Sequence, residues 1–336
     1  MQKERDYSID FIRALSALGI VLFHFYCHTP EGLPRLFYSF ANGSIGNTIV
    51  NVFFIVSGYS LYLNNSRITD LKRFYIKRFK AIFPTFYLCF IVAYVYWAIR
   101  THDPFYGGHP VKLLLTVFGV DGYFSYLGPN YYQLGEWFLG AIIILYVIYP
   151  LILWIFNRSQ LICLAVSAAL YATVFIPGIY KIAIEMNLFC CLISFVAGMF
   201  LCANCHKWKG NWLPAAVSAV LAAVLLVVKL PAIPNNLCIH ILALCLFILM
   251  HYLGGYIMNN KAANKVFMEL SRLSFPVFLV HHILVSKALQ LYGPEDNLHA
   301  LAFWLFLTIV ILIVAKIVYI LNDLILDKLL PKLKKA

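Results

Sequence analysis

An all-α, polytopic membrane bundle of about ten transmembrane helices is the fold this chain predicts, on three observations. Composition is the first. Of 336 residues, 62% are hydrophobic and 12% charged, and the mean hydropathy is +0.83. A soluble domain carries about 25% charged residues, so that class is excluded. Second, apolar stretches of roughly membrane length recur from end to end of the chain. Third, the basic residues lie in the connections between those stretches, alternately abundant and scarce.

The net charge of +12 would suit nucleic acid in a soluble chain. Here the basic residues border a lipid bilayer with anionic headgroups, and a nucleic-acid partner is not expected. Spans are expected at 9–27, 47–64, 82–99, 137–156, 160–178, 186–203, 212–229, 236–257, 273–292 and 300–323. With the N-terminus inside, 18 of the 26 Lys and Arg residues fall on cytoplasmic segments and five on outside segments. The sign bias alternates correctly throughout, so both termini are expected in the cytoplasm of a multi-pass cell-membrane protein. One integral-membrane domain, 1–336, is expected.

Nine cysteines are scattered, most of them inside apolar runs, and read as small buried residues. Cys202-Ala-Asn-Cys205-His206 fits the C-x-x-C-H pattern of haem attachment, but it falls on a cytoplasmic connection, where that attachment is not expected. The first helix has no small-residue cleavage site after it and is expected to stay as a signal anchor.

The first span carries the chemistry-bearing residues Asp10, Arg13 and His24. A charged group in hydrocarbon costs at least roughly 2.5–3.5 kcal/mol at the helix centre and usually faces a polar interior. Arg13 and His24 are eleven residues apart, so they share a face about 16 Å apart along the axis. Asp10, three residues before Arg13, joins the same stripe or pairs with Arg13 at the interface.

Between the second and third spans, the cytoplasmic segment 65–81 alternates Lys72, Arg73, Lys77, Arg78 and Lys80 with Phe74, Tyr75, Ile76 and Phe79. It reads as an interfacial amphipathic helix: either a positive-inside anchor or a clamp for a phosphorylated ligand through Lys77 and Arg78. The long outside segment 100–136 holds a short apolar piece, Val111 to Val120, of re-entrant or interfacial type. Tyr123, Phe124, Tyr126, Tyr131, Tyr132 and Trp137 then crowd beside Asp121, Asn130, Gln133 and Glu136. Flat rings beside polar groups suit a sugar, or form an ordinary aromatic belt.

The later spans are poorer in polar groups. His240 and His251 read as packing or interface residues, and His281 and His282 lie near the middle of the ninth span. That span offers neither a carboxylate nor H-x-x-x-H spacing to join His24, so no metal centre is expected.

These residues, taken in order, resemble the acyltransferase-3 family of polytopic membrane acyltransferases. Arg5-Asp6-Tyr7-Ser8-Ile9-Asp10-Phe11-Ile12-Arg13 is similar to its opening signature, and Arg13-x10-His24 to its Arg-x10-His element. Phe53-Phe54-Ile55-Val56-Ser57-Gly58-Tyr59 resembles its second-span segment, and Lys77 to Pro84 its basic lead into the third span. Trp137-Phe138-Leu139, Phe195-Val196-Ala197-Gly198-Met199 and the run Ser274 to His281 resemble later landmarks. The chain departs from the family where Ala81 replaces a frequent arginine and where Glu136 precedes Trp137, so the glutamate of the family's W-S-L-x-x-E segment has no match here.

The resemblance implies transfer of an acyl group, most often acetyl, from cytoplasmic acyl-CoA to a hydroxyl of a cell-surface glycan or its lipid-linked precursor. Acetyl-CoA would be a co-substrate, with no permanently bound cofactor. Asp10, Arg13, Lys77 and Arg78 would serve the donor. A hydroxyl is a weak nucleophile near neutral pH, and histidine is the side chain suited to deprotonate it, which makes His24 the expected catalytic residue. Direct attack on the thioester and an acyl-histidine intermediate both fit. Ser57, Glu136, Trp137 and His281 would orient groups or hold the acceptor. The competing expectation is a flippase or transporter of lipid-linked sugars.

Overall fold

The computed structural model describes residues 5–29, 37–134 and 136–328. In chain order these form α1 (Tyr7–His28), β1 (Ser39–Phe40), β2 (Gly43–Ser44), α2 (Ile45–Asn65), α3 (Leu71–Thr101), α4 (Leu113–Val117), α5 (Glu136–Arg158), α6 (Gln160–Ala172), α7 (Leu188–Ala203), α8 (Trp212–Val227), α9 (Asn235–Ile257), α10 (Lys261–Leu291) and α11 (Asn297–Lys328). The fold is an all-α polytopic bundle. Seven of the helices, α1, α2, α3, α5, α9, α10 and α11, are long and apolar enough to cross a membrane. The expected spans at 160–178, 186–203 and 212–229 fall on α6, α7 and α8, which are shorter apolar helices. Sixteen residues, the length of α7 and of α8, rise about 24 Å against a hydrocarbon core of about 30 Å.

The structure redraws two boundaries. The expected interfacial helix and third span are one helix, α3: Asp70 caps its start by accepting from the Arg73 N–H at 3.0 Å, and the helix runs through Pro84 to His102. His102 ends it in a left-handed conformation with φ of 54°. The expected ninth span, 273–292, begins twelve residues earlier, at Lys261, where the Asn260 side chain accepts from the Ala262 and Ala263 N–H groups.

The chain divides into two compact units: Met1–Ser66 with Cys190–Phe275 and Val285–Ile309, and Arg67–Phe189 with Pro276–Leu284 and Val310–Ala336. In the first unit, Ile12, Ile55, Tyr59, Cys202, Ala243 and Phe247 of α1, α2, α7 and α9 pack into one core. Helices in lipid gain little from apolar burial alone, so close contact through small residues matters more. Gly58 of α2 and Gly198 of α7 make that contact. A Cβ on Gly58 would lie 1.9 Å from the Phe195 carbonyl oxygen, and one on Gly198 would lie 2.0 Å from that of Ile55. Fully buried Asn42 ties the β1–β2 hairpin to the end of α8, donating to the Leu225 and Val228 carbonyls at 2.7 and 2.6 Å and accepting from the Leu230 N–H at 2.8 Å.

In the second unit, Phe74 stacks on Tyr149 at 5.6 Å and the Tyr75 hydroxyl donates to the Val147 carbonyl at 2.8 Å, so α3 and α5 lie side by side. Along α11, Leu305, Phe306, Ile309, Ile313, Ile317 and Ile320 are all exposed, as suits a helix facing acyl chains.

Candidate active site

The polar stripe of α1 is built around Asp10. The carboxylate is buried, and each oxygen is engaged. Arg5 donates to Oδ2 through Nε and Nη2 at 3.1 and 2.9 Å, and Ser271 Oγ donates to Oδ1 at 2.8 Å. Arg13 Nη1 stands 3.8 Å from Oδ1, while its Nη2 donates to Ser60 Oγ at 3.2 Å. Asp10 is therefore the counter-ion that holds two arginines, and α2 fixes the guanidinium of Arg13 from the other side. Ser57, one turn before Ser60, is half-buried on α2.

His24 lies three turns beyond Arg13 and is half-buried. Its ring meets Phe23 edge-on at 5.2 Å and lies near-parallel to His28 at 6.5 Å. The sequence reading passes over His28, although it stands four residues from His24 and so on the same helix face.

The second unit holds the remaining expected residues. Lys77 and Arg78 are neighbours on α3 and point about 100° apart. Lys77 is exposed, whereas the half-buried Arg78 guanidinium lies over the Tyr146 ring of α5 at 5.8 Å. Arg78 Nε is buried without a partner among the described residues. Trp137 is half-buried near the start of α5. Glu136 opens that helix, and its side chain lies outside the described residues. His281 is fully buried, and its Nδ1 lies 3.1 and 2.9 Å from the Val277 and Phe278 carbonyl oxygens. Carbonyls only accept, so Nδ1 carries the proton.

A family model described as an acyltransferase domain matches residues 6–320. The chain belongs to the acyltransferase-3 family. It is a membrane acyltransferase. No curated protein and no solved structure matched it.

The outside segment of this acyltransferase corrects the sugar-holding expectation at three residues. Tyr131 is fully buried and its hydroxyl donates to the Gly108 carbonyl at 2.7 Å. Tyr123 is buried beside Gly140, where a Cβ would lie 2.5 Å from its own. The buried Asp121 carboxylate accepts from Thr116 Oγ1 at 2.9 Å and the Gly122 N–H at 3.0 Å. These groups fold the loop on itself. Tyr126 stays exposed, and Phe124, Tyr132 and Gln133 half-exposed.

Two buried polar clusters of the acyltransferase were not expected. In the first, Asp6 Oδ2 accepts from Tyr59 Oη at 2.9 Å and Lys209 Nζ at 3.3 Å, and lies 3.0 Å from His251 Nε2. Burial alone would raise the Asp6 carboxyl. The His251 hydrogen bond and charge, the Lys209 ammonium and the Tyr59 hydroxyl outweigh burial and hold it well below 3.8. A depressed carboxyl stabilises the fold above its unfolded value and loses that contribution as pH falls through the folded one. Asp6→Asn is therefore expected to lower stability by roughly 1–3 kcal/mol at pH 7. The gap to the wild-type melting curve should hold steady down to about pH 4 and begin to close only below it, as pH falls toward the depressed folded value. A difference that shrinks between pH 7 and about pH 4, or one that stays constant well below about pH 4, would contradict this.

In the second cluster, Asn51 Nδ2 donates to the Asn47 carbonyl at 2.9 Å, which turns Oδ1 toward Ser194. Ser194 donates its proton to that oxygen at 2.8 Å and accepts from His240 Nδ1 at 2.8 Å. The serine proton is committed to Asn51, so the acyltransferase does not present Ser194 as a histidine-activated nucleophile.

Proposed function

We propose that the protein transfers an acetyl group from cytoplasmic acetyl-CoA to a hydroxyl of a cell-surface glycan or its lipid-linked precursor, in the cell membrane with both termini in the cytoplasm. The observation that carries this reading is the α1 stripe. Arg13 is fixed by Asp10 and Ser60 near one end of the helix, and His24 lies on the same face toward the other. A planar, permanently charged guanidinium suits the anionic donor. A histidine about 16 Å further on lies where the acyl end of a long, thin donor would reach. Lys77 is an exposed cation that the family resemblance assigns to the donor, and the resemblance offers His281, Ser57, Trp137 and Glu136 for orienting the groups. In direct transfer, His24 takes the acceptor's hydroxyl proton as the oxygen attacks the thioester carbonyl. The C–S bond breaks, and coenzyme A leaves as a thiolate that regains a proton. In the covalent route the imidazole attacks first and the acceptor then displaces it.

Inverted membrane vesicles carrying the protein are expected to bind labelled acetyl-CoA, and right-side-out vesicles are not. Arg13→Ala should lose most of that binding, and Arg13→Lys should restore it only in part, because an ammonium cannot hold Asp10 and Ser60 in the same fork. Binding from neither face by the wild type would refute the donor assignment, and binding from the outer face alone would refute the orientation.

A further inference from the structure

Lys261, Lys265 and Arg272 do not belong to the stripe described above. Counted along α10 they stand at positions i, i+4 and i+11, within about 40° of one another and over about 16 Å of one helix face. They line a cleft of about 640 Å³, with Tyr7 at the start of α1 and Met258 and Asn259 at the end of α9. The cleft lies within the first unit. Its walls are tied together: Phe11 of α1 meets Phe267 of α10 edge-on at 4.7 Å, and Ser271 of α10 bonds Asp10 of α1. Arg5, paired with Asp10, lies beside the cleft with its guanidinium 5.5 Å over the Tyr7 ring.

The charges in this cleft are unbalanced. Glu269 is its one carboxylate, half-buried and 3.3 Å from the exposed Arg272. Lys261 and Lys265 are exposed and make no ion pair among the described residues. Three cations against one acid leave about two positive charges, which match the −1.5 to −2 of a phosphate monoester. The Met268 and Met258 side chains and the Tyr7 ring add an apolar wall for the rest of the ligand. A stripe this long suits an extended phosphate-bearing molecule better than inorganic phosphate.

We propose that this cleft binds a phosphate-bearing ligand, with Lys261, Lys265 and Arg272 as its anion-binding side chains. The phosphate comes from a soluble nucleotide or from a phospholipid headgroup. The nucleotide source rests on the donor reading above; the lipid source does not.

The test uses the full chain in phosphatidylcholine nanodiscs. One arm titrates adenosine 3′,5′-bisphosphate by calorimetry. The other measures retention of added phosphatidylglycerol by native mass spectrometry. The double variant Lys261→Gln/Lys265→Gln is expected to weaken at least one probe about ten-fold. Glu269→Gln should tighten the same probe, because it frees Arg272. Loss of the nucleotide alone identifies a soluble ligand, loss of the lipid alone a headgroup, and loss of both a site open to either. Unchanged binding of both probes overturns the proposal. If the double variant does not fold, unchanged binding of both probes to Glu269→Gln does so. A wild type that binds phosphatidylglycerol here but never acetyl-CoA sinks the donor reading and leaves this site standing. A wild type that transfers acetyl groups while the variants bind both probes normally sinks this site alone.

Discussion

His24→Ala is expected to lower acyl transfer by about 10²–10⁴, the range for a lost acid–base group, while acetyl-CoA binding survives. His24 is half-buried and shares the α1 face with Arg13, but it is three turns from the guanidinium that Asp10 and Ser60 hold. Removing its ring leaves that arrangement untouched, so the donor's anionic end keeps its partner. An acceptor hydroxyl must lose its proton near neutral pH, where imidazole exchanges one readily. Labelled acetyl-CoA without acceptor separates the two routes. Protein-bound label that disappears in His24→Ala marks the acyl-histidine intermediate, and absence of label marks direct transfer. Turnover near the wild-type rate in reconstituted His24→Ala would move the base elsewhere, with His281 the next residue to test. His28→Ala is the control for a change on the same helix face. It should affect turnover less, because His28 is exposed.

Gly58→Ala and Gly198→Ala are expected to damage folding rather than chemistry. Either methyl group would sit within 2.0 Å of a backbone carbonyl oxygen on the facing helix, and a backbone cannot swing aside as a side-chain tip can. The helices must separate, which costs about 1–3 kcal/mol or more and costs the first unit the packing around Ile55 and Tyr59. Against a total stability of about 5–15 kcal/mol, that is a large fraction. Thermal melting in detergent should show either variant well below the wild type, with reduced membrane yield. Gly255→Ala is the internal comparison. A Cβ there meets Ser8 Oγ at 3.9 Å, an ordinary contact, and alanine favours the helix. It should melt at or slightly above the wild type. Equal melting of Gly58→Ala and Gly255→Ala would show that the two helices can part without cost.

The glycine pair also shows how far the sequence could be read. Both glycines sit in segments that resemble family landmarks, yet only the structure makes them opposite sides of one helix contact. Asp6 likewise lies in the opening signature, while its partners Tyr59, Lys209 and His251 are 53, 203 and 245 residues away. His251, in an apolar span, reads as a packing residue until its carboxylate partner is in place. Lys77 and Arg78 read as one clamp because they are adjacent, but adjacent positions on a helix face different ways, and Arg78 lies against Tyr146.

What the sequence by itself determined was the class of fold, the places where apolar helices lie and the family. Each of these is written in short-range signals: hydropathy over about twenty residues, and motifs in a fixed order. The tertiary structure alone decided which polar groups meet. It made Asp10 the shared counter-ion of Arg5 and Arg13, turned Tyr131 and Asp121 inward, committed the Ser194 proton to Asn51 and set three cations of α10 around one cleft. A buried polar group must find a partner wherever the chain brings one, and sequence spacing carries no record of pairings made across a bundle.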